Sequence, residues 1–509
     1  MTPDTIDTLK GCALRPRTPN PKTAPGHAAL LALLIALVSP MAIKAQAAAD
    51  SVQAEPAPTL DDLDQKVRLL QRKLEVKEEE EAKKKDESAT VTAGKDGFAL
   101  VSADKESVLK FKSFAHTDGR YFFDDGANKL PNTLLLRRVR SIWDGTVGKY
   151  YNFRIMPEFT GTFQILDAYA EVAYWPEARL RVGKSKTPLG LERIKSSQDM
   201  DIIEFAHPTS LTPNYDLGIS LLGDFKEESY GYHVGLFNGA VDGASRDVDL
   251  NDDKDLIGRV FALPFKTGTI EQLRGLGIGF AASWGHKDGD LANTELPAYR
   301  SEGQQSFYAY RTLADKAPAV AYNAATKVVS NSAAVLGDSG TVRAFGDGYR
   351  INPQGYWYYG SFGLSGEYIA ATQEVAKGGT NLAATKKSLT TSAWQATAAY
   401  VVTGESPSFK GLKPRHSLAS AGQNTGWGAL ELVARYGRLD ADEDAFPLYA
   451  NPASAAKAAG TWSAGFNWYL SRYVKLSADY AWTEFEGGAA GGGDRREEKV
   501  FFSRLQTAF

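Results

Sequence analysis

The chain has little of what catalytic or metal-binding proteins need: one cysteine, Cys12, and six histidines among 509 residues. A single thiol near the N-terminus leaves neither a disulfide nor a thiolate site in the rest of the chain. The histidines show no metal-ligand spacing, and no segment has the pattern of a nucleophile elbow or of a complete calcium loop. The sequence therefore predicts no catalytic residue, no metal and no cofactor, and a protein that is not an enzyme.

The chain also has no large excess of either charge, since it contains 58 basic and 61 acidic residues. This balance gives no case for nucleic-acid binding. A membrane-length apolar helix is also absent, because the run AALLALLIALV (residues 28–38) has eleven residues and a spanning helix needs about 20. Basic residues precede the run, and Ala45-Gln46-Ala47 follows it. This order predicts a secretory signal peptide over residues 1–47, with a short buried helix as the alternative.

Residues 48–94 form the second predicted segment. Apolar residues recur three and four positions apart, which is the seam of a coiled coil: Leu60, Leu63, Val67, Leu70 and Leu74. A charged stretch, EVKEEEEAKKKDES, follows and is too polar to pack. We expect a short oligomerising stalk and a polar linker, with a surface helix that has one apolar face as the alternative.

From about residue 95 onward the apolar period changes to two. In residues 474–482, Leu476 and Trp482 share one face, and Lys475 and Asp479 share the other. Aromatic residues gather near strand ends, short and long connections alternate, and the last strand stops at Phe509. These features predict an all-β fold over residues 95–509, a transmembrane antiparallel β-barrel. At roughly 25 residues per strand and connection, the barrel has about 16 strands.

Basic residues concentrate between positions 137 and 195. This stretch contains eleven basic and six acidic residues. The alternation places Arg138 with Arg140, and Arg179 with Arg181, opposite apolar neighbours. We expect these arginines to face the lumen, where rings of Arg and Lys select anions and where Arg binds phosphate by its bidentate fork. In the alternative interpretation they are ordinary wall charges paired with acidic neighbours: Glu158, Asp167 and Glu171.

Several segments carry a resemblance to a known family, in order along the chain: LRRVRSIWDGTV, YNFRIMPEF, LDAYAEVAYWPEARLRVGKSKTPLGLER, NYDLGISL, YVVTGE, GWGALELVARY and GFNWYLSRYVKLSADY. Together they extend over nearly all of residues 95–509, and the chain resembles the phosphate-selective porin O and P family. The resemblance implies a sixteen-stranded trimeric porin of the Gram-negative outer membrane. It also implies that a long loop, about Gly190 to Asp216 here, folds into the pore as its constriction.

The resemblance assigns roles to individual residues of this chain. It matches a basic pair of the second strand to Arg137 and Arg138, the basic constriction residue to Arg193 and the acidic pore residue to Asp167. Arg137 lies on the wrong face by alternation, which a β-bulge would reconcile. Three basic positions of the family hold other residues here: Phe114, Asn152 and Phe205. The predicted pore and anion-binding residues are Arg137, Arg138, Arg140, Arg154, Asp167, Arg181, Lys184, Arg193 and Lys195.

The sequence thus favours an exported, homotrimeric porin in outer-membrane lipid, with a passive, anion-preferring channel for small anionic solutes. Phosphate and polyphosphate are the candidate solutes. Because Phe114 and Phe205 replace basic residues, a general porin or one for sugars or aromatic acids is the first alternative. A structural tether or adhesin, in which the barrel is only an anchor, is an alternative of another class.

Overall fold

The computed structural model describes residues 59–94, 97–123, 130–249, 251–312, 320–323, 328–331, 340–378, 382–418 and 426–509. The predicted signal peptide and the first residues of the predicted stalk segment lie outside the described residues. Within these ranges, no helix is long and apolar enough to cross a membrane.

The predicted stalk contains one helix, α1 (Leu60–Glu87). Thr59 caps it: the Thr59 hydroxyl accepts a hydrogen bond of 3.3 Å from the Asp62 backbone N–H, and the Asp62 carboxylate accepts one of 3.1 Å from the Thr59 backbone N–H. This reciprocal pairing satisfies two donors at the helix start. The apolar seam is open to solvent, with Leu63 46% and Leu70 63% exposed. The coiled-coil role of the helix stays a prediction.

Strands make up most of the remaining described chain. They are β1 (Thr90–Gly94), β2 (Gly97–Val101), β3 (Val108–Phe122), β4 (Thr133–Val147), β5 (Tyr151–Glu158), β6 (Gln164–Trp175), β7 (Ala178–Lys186), β8 (Tyr215–Phe225), β9 (Tyr230–Phe237), β10 (Asp255–Ala262), β11 (Leu276–Asp288), β12 (Ala298–Arg300), β13 (Ser306–Ala309), β14 (Val320–Asn323), β15 (Val328–Asn331), β16 (Val342–Tyr359), β17 (Phe362–Lys377), β18 (Lys387–Val401), β19 (Ala429–Asp440), β20 (Ala456–Tyr469), β21 (Val474–Gly487) and β22 (Glu498–Ala508). The short helices are α2 (Leu191–Ile194) and five 3₁₀ turns, His207–Leu211, Glu271–Leu273, Leu382–Thr385, Glu443–Ala445 and Ala490–Gly492.

Sixteen of these strands, β3 to β11 and β16 to β22, form a closed antiparallel barrel. The last strand pairs with the first, from Val500 opposite Phe122 to Ala508 opposite Phe114. Closure leaves no unpaired backbone edge in lipid, and sixteen strands leave room for an aqueous channel. The predicted all-β barrel of about 16 strands is confirmed, although its first strand begins at Val108; β1 and β2 form a hairpin that pairs with the start of β3.

Side chains alternate between lipid and lumen along each barrel strand. On β7, Leu180 and Val182 are 45% and 48% exposed on the outer face, and Arg181 between them points inward to Glu171. Aromatic rings form a row across the outer wall, since the Tyr436 ring centre lies 5.3 Å from that of Trp394 and 4.5 Å from that of Trp462. Such a row is typical of the membrane interface of a barrel.

The two ends of the barrel differ in their connections. At one end, the turn end, most connections are short: residues 148–150, 176–177, 226–229, 360–361 and 470–473. At the other, the long-loop end, longer connections occur: residues 187–214, 238–254, 289–341 and 441–455. The long connection 402–428 at the turn end departs from this pattern. Short periplasmic turns and long outer loops are the usual barrel arrangement.

Candidate functional site: the neck of the pore

The connection between β7 and β8, residues 187–214, folds into the lumen and crosses it; we call it the constriction loop. The Gly190 backbone N–H donates to Asn352 Oδ1 on β16 at 3.0 Å. The Ile203 backbone N–H donates to Asp479 Oδ2 on β21 at 2.6 Å. The loop ends earlier than the predicted Asp216, because Tyr215 and Asp216 already pair with β7.

Apolar side chains fix this loop against the inner wall. Ile202 packs with Ala399 and Val433, and Ile203 lies in a second buried cluster with Phe502. Leu211, at the end of the loop's 3₁₀ turn, is fully buried in the largest cluster. That cluster also contains aromatic residues of the β12–β13 hairpin, which therefore lies inside the long-loop end of the barrel: Tyr299, Phe307 and Tyr308.

Buried ion pairs anchor the loop as well. Glu204, 1% exposed, accepts hydrogen bonds from Arg120 at 2.7 Å and from Arg137 at 2.9 Å. Burial opposes ionisation of Glu204, but the neighbouring guanidinium groups of Arg137 and Arg120 hold the pKa of this carboxyl well below its usual range. Glu192 accepts a hydrogen bond of 2.7 Å from Arg435 on β19. Burial lowers the pKa of His207, also in the loop, to about 3, so its ring is neutral at pH 7.

Two cavities beside the constriction loop share lining residues, and we call their junction the neck. A cavity of about 730 Å³ lies toward the long-loop end, and one of about 300 Å³ lies toward the turn end. Four residues line both cavities, and we define the neck by them: Arg140, Lys186, Ser197 and Tyr215. The Lys186 ammonium lies 5.8 Å from the Tyr215 ring centre. The neck therefore has basic groups from two strands and a hydroxyl from the loop.

Several predicted site residues line these cavities but are paired with carboxylates. Arg140 donates to Glu158 at 2.7 Å, and Arg181 donates to Glu171 at 2.7 Å. Arg154 donates to Asp144 at 2.6 Å and lies 3.8 Å from Asp167. Arg137, at a bulge where the β3–β4 register shifts, pairs with Glu204. For these residues the geometry fits the interpretation as paired wall charges.

Three other basic residues have neutral partners instead: Lys186 at the neck, and Arg138 and Arg193 in the larger cavity next to it. Arg138 makes no ion pair with any described residue, and its Nη1 is buried without a hydrogen-bond partner. Lys186 donates to the backbone carbonyls of Arg193 at 2.8 Å and Lys195 at 2.7 Å. Arg193 donates to Thr212 Oγ1 at 3.1 Å and to the Thr209 carbonyl. Burial lowers the pKa of Arg193 to about 10, which leaves its guanidinium charged at pH 7.

Two predicted site residues do not line either cavity. Lys184 shares the strand face of Leu180 and Val182, and its ammonium pairs with Asp247 of the connection 238–254. Lys195 lies within the constriction loop, where its ammonium donates to both carboxylate oxygens of Asp201 at 2.8 Å. Both lysines are buried, and their charges are neutralised locally.

The sequence reasoning missed several residues of the neck. Lys186 belongs to the basic stretch but not to the predicted site residues, although it lies just before the loop that the sequence predicts as the constriction. Tyr215 and Ser197 have no distinctive local pattern. Glu204 could have been suspected as the only acidic residue between Asp201 and Asp216. Within the described ranges, no cluster of His, Cys, Asp and Glu side chains could hold a metal ion.

A closed barrel of sixteen strands with a loop across its lumen defines the class of protein as an outer-membrane porin, a channel. The profile of the family described as phosphate-selective porin O and P matches residues 111–509. The chain belongs to this family. Its members are channels rather than enzymes and are proteins of the outer membrane. None of the curated proteins compared with the chain matches it.

Solved structures of porins have a similar fold. The anion-selective porin from Comamonas acidovorans is 13% identical, with a TM-score of 0.46, over 79% of this chain and 100% of that one. The outer membrane channel DcaP of Acinetobacter baumannii is 10% identical, with a TM-score of 0.46, over 79% of this chain and 97% of that one. The trimer form of OmpT from Vibrio cholerae is 11% identical, with a TM-score of 0.45, over 79% of this chain and 99% of that one.

Proposed function

We propose that anions pass through this porin by binding to Arg138 and Arg193 in the larger cavity and to Lys186 at the neck. The observation that carries the proposal is that these three cationic groups have carbonyl, hydroxyl or aromatic partners rather than carboxylates. Their charge is therefore available to a passing anion, whereas the charge of Arg140 or Arg181 is compensated nearby. Positive groups in a narrow, partly dehydrated passage favour anions and repel cations.

Phosphate is a candidate solute because family membership and the guanidinium donors both support it. The chain departs from the family pattern at Phe114, Asn152 and Phe205. Asn152 donates to Glu171 at 3.3 Å, so it supports the wall and adds no charge. A porin for organic solutes is the alternative that the two aromatic replacements favour.

We also propose how the protein is exported and assembled. Residues 1–47 act as a signal peptide, and the mature protein forms a homotrimer in outer-membrane lipid. The exposed seam of α1 supports a short trimeric stalk built from Leu63, Val67 and Leu70 of each copy, because an apolar stripe at coiled-coil spacing is stabilised by burial. A tether or adhesin without channel activity is the competing class.

The deciding experiment is a reversal potential in a planar bilayer under a KCl gradient. We expect reversal towards the chloride potential in the wild type and a shift towards zero in Arg138→Gln. The control is the double variant Arg181→Gln/Glu171→Gln, which removes a neutral pair and should keep the wild-type value. Reversal towards the potassium potential in the wild type would overturn the anion preference, and the absence of any open conductance would favour the tether.

A further inference from the structure

An apolar strip lies on the inner wall of the smaller cavity, on the turn-end side of the neck. Phe114 on β3, Ile142 on β4 and Met156 on β5 all line the cavity of about 300 Å³. Phe114 and Met156 are only 3% and 6% exposed. The lumen of a water-filled barrel is ordinarily polar, because polar side chains there keep their hydration. Apolar side chains on three adjacent strands beside the neck instead offer a surface for an apolar part of a solute.

Basic groups face aromatic rings on both sides of the neck. Towards the turn end, the Arg140 guanidinium lies 5.7 Å from the Phe114 ring centre, and that of Arg181 lies 4.1 Å from the Tyr169 ring centre. Towards the long-loop end, Phe205 lies 5.0 Å from Arg193 and 5.6 Å from Arg138. Each cavity thus places an aromatic surface beside a cation.

Inorganic phosphate gains nothing from such surfaces. It is charged or hydroxylated on every side and needs donors all around it, so an apolar wall costs it hydration without replacement. An anion with a charged end and an apolar body uses both parts of the wall. Its carboxylate accepts hydrogen bonds from Lys186 or Arg138, and its ring packs against Phe114, Ile142 and Met156.

We propose that the neck is adapted to amphipathic organic anions of the arylcarboxylate type, in preference to inorganic phosphate. This inference rests on the proposed anion preference and adds the substrate class. A cavity of about 300 Å³ lies at the lower end of the range for small organic ligands. The Phe205 and Phe114 surfaces lie on opposite sides of the neck. A solute therefore has two weak binding sites, one after the other along the pore, and can bind without being trapped.

Current block by simple anions tests the proposal in the full-length channel. Benzoate, acetate and phosphate are added to a chloride-conducting bilayer; benzoate and acetate share a carboxylate and differ in the ring. We expect benzoate to block at a concentration about tenfold lower than acetate, as partial burial of a ring implies. Benzoate should also block at a lower concentration than phosphate.

Variants locate the effect at the apolar strip. Phe114→Gln should reduce the benzoate-to-acetate preference towards one, and Phe114→Leu, which keeps an apolar group, should reduce it less. Ile142→Thr, on the neighbouring strand, should also reduce it and serves if Phe114→Gln fails to fold. Phe265→Gln, at a half-exposed ring in the turn-end connection 263–275, is the control that should keep the preference.

The outcomes separate the two proposals. If the reversal potential is on the chloride side but benzoate and acetate block alike, or phosphate blocks at the lowest concentration, the arylcarboxylate assignment is wrong and the anion preference stands. If Phe114→Gln and Ile142→Thr both keep the benzoate preference, the apolar strip is not its cause and the assignment is again wrong. Reversal on the potassium side overturns both proposals.

Discussion

Glu204, in the constriction loop, accepts a hydrogen bond of 2.7 Å from Arg120 on β3, 84 residues earlier in the chain. The same carboxylate accepts hydrogen bonds from Arg137 on β4 at 2.9 and 3.2 Å. One acidic residue of the loop therefore neutralises two basic residues of the wall. Because the carboxylate is buried, no water replaces it when it is removed, and the loop depends on it for its position.

Removing this charge should widen the pore. Glu204→Gln keeps the size of the side chain but leaves two guanidinium groups without a counter-charge, and breaking such a buried pair costs about 3–5 kcal/mol. We expect a larger, noisier single-channel conductance and a stronger anion preference in planar bilayers. Glu497→Gln, which removes an exposed partner of Lys499, is the control and should change neither. An unchanged conductance in Glu204→Gln would contradict this role of the loop.

The same ion pairs predict how the pore responds to acid. The pKa of Glu204 in the folded loop is far below its value of about 4.3 in a free chain. The stabilisation it provides is complete above about pH 4.3 and is lost as the pH falls from there towards the lowered pKa. We expect steady single-channel noise from pH 8 to about 5 and a rise below about 4. An acid-induced rise of equal size in Glu204→Gln would show that another group is responsible.

Local periodicity accounts for what the sequence could predict about the pore. The period of two placed Arg138, Arg140 and Arg181 inside, because side-chain direction in a strand depends only on its neighbours. Lys184 is among the predicted pore residues because it adds to the local excess of basic residues. Strict alternation places it on the other face of the strand from Arg181, and in the structure it pairs with Asp247 outside the neck.

What the sequence could not reveal depends on contacts between distant segments. Arg435 pairs with Glu192 across 243 residues, and nothing near either residue indicates the other. The same holds for Ile203 and Asp479, which hold the loop to the far wall. The carboxylate partners of Arg140, Arg154 and Arg181 lie on neighbouring strands, 10 to 18 residues away, but a count of charges does not say which cation each of them pairs with. Charge counting alone therefore gives a basic region but cannot separate Arg138 from Arg154.

The helix α1 gives a test of assembly. Replacing Leu63 and Leu70 by Ser removes two seam residues, and each Leu buried in a coiled coil contributes about 2 kcal/mol. We expect the oligomer of this double variant to dissociate at a lower temperature, as measured by heating before native electrophoresis, with the single-channel conductance unchanged. Leu69→Ser is the control, because Leu69 is 57% exposed and lies off the seam. Equal dissociation temperatures for the two variants would exclude the stalk.

Phe409 and Gly411, in the long connection that follows β18 at the turn end, lie next to the constriction loop. The Phe409 ring stacks on the Tyr356 ring, with ring centres 5.3 Å apart. The Lys195 ammonium of the loop lies 5.8 Å from the Phe409 ring centre. Gly411 lies against Asp199 of the loop: its φ is +84°, and a Cβ added there would be 2.6 Å from the Asp199 carboxylate. A side chain at position 411 would therefore have to displace the Asp199 side chain.

Gly411→Ala should push this connection away from the constriction loop and enlarge the exit of the pore. Part of its effect is backbone strain, since a left-handed conformation costs an alanine about 1–2 kcal/mol. Gly404→Ala, with a φ of +89° and no atom within 4 Å of its added Cβ, carries the strain without the contact. We expect a higher single-channel conductance in Gly411→Ala and the wild-type value in Gly404→Ala. If the two variants conduct alike, strain alone acts at both positions, and the connection does not limit the exit.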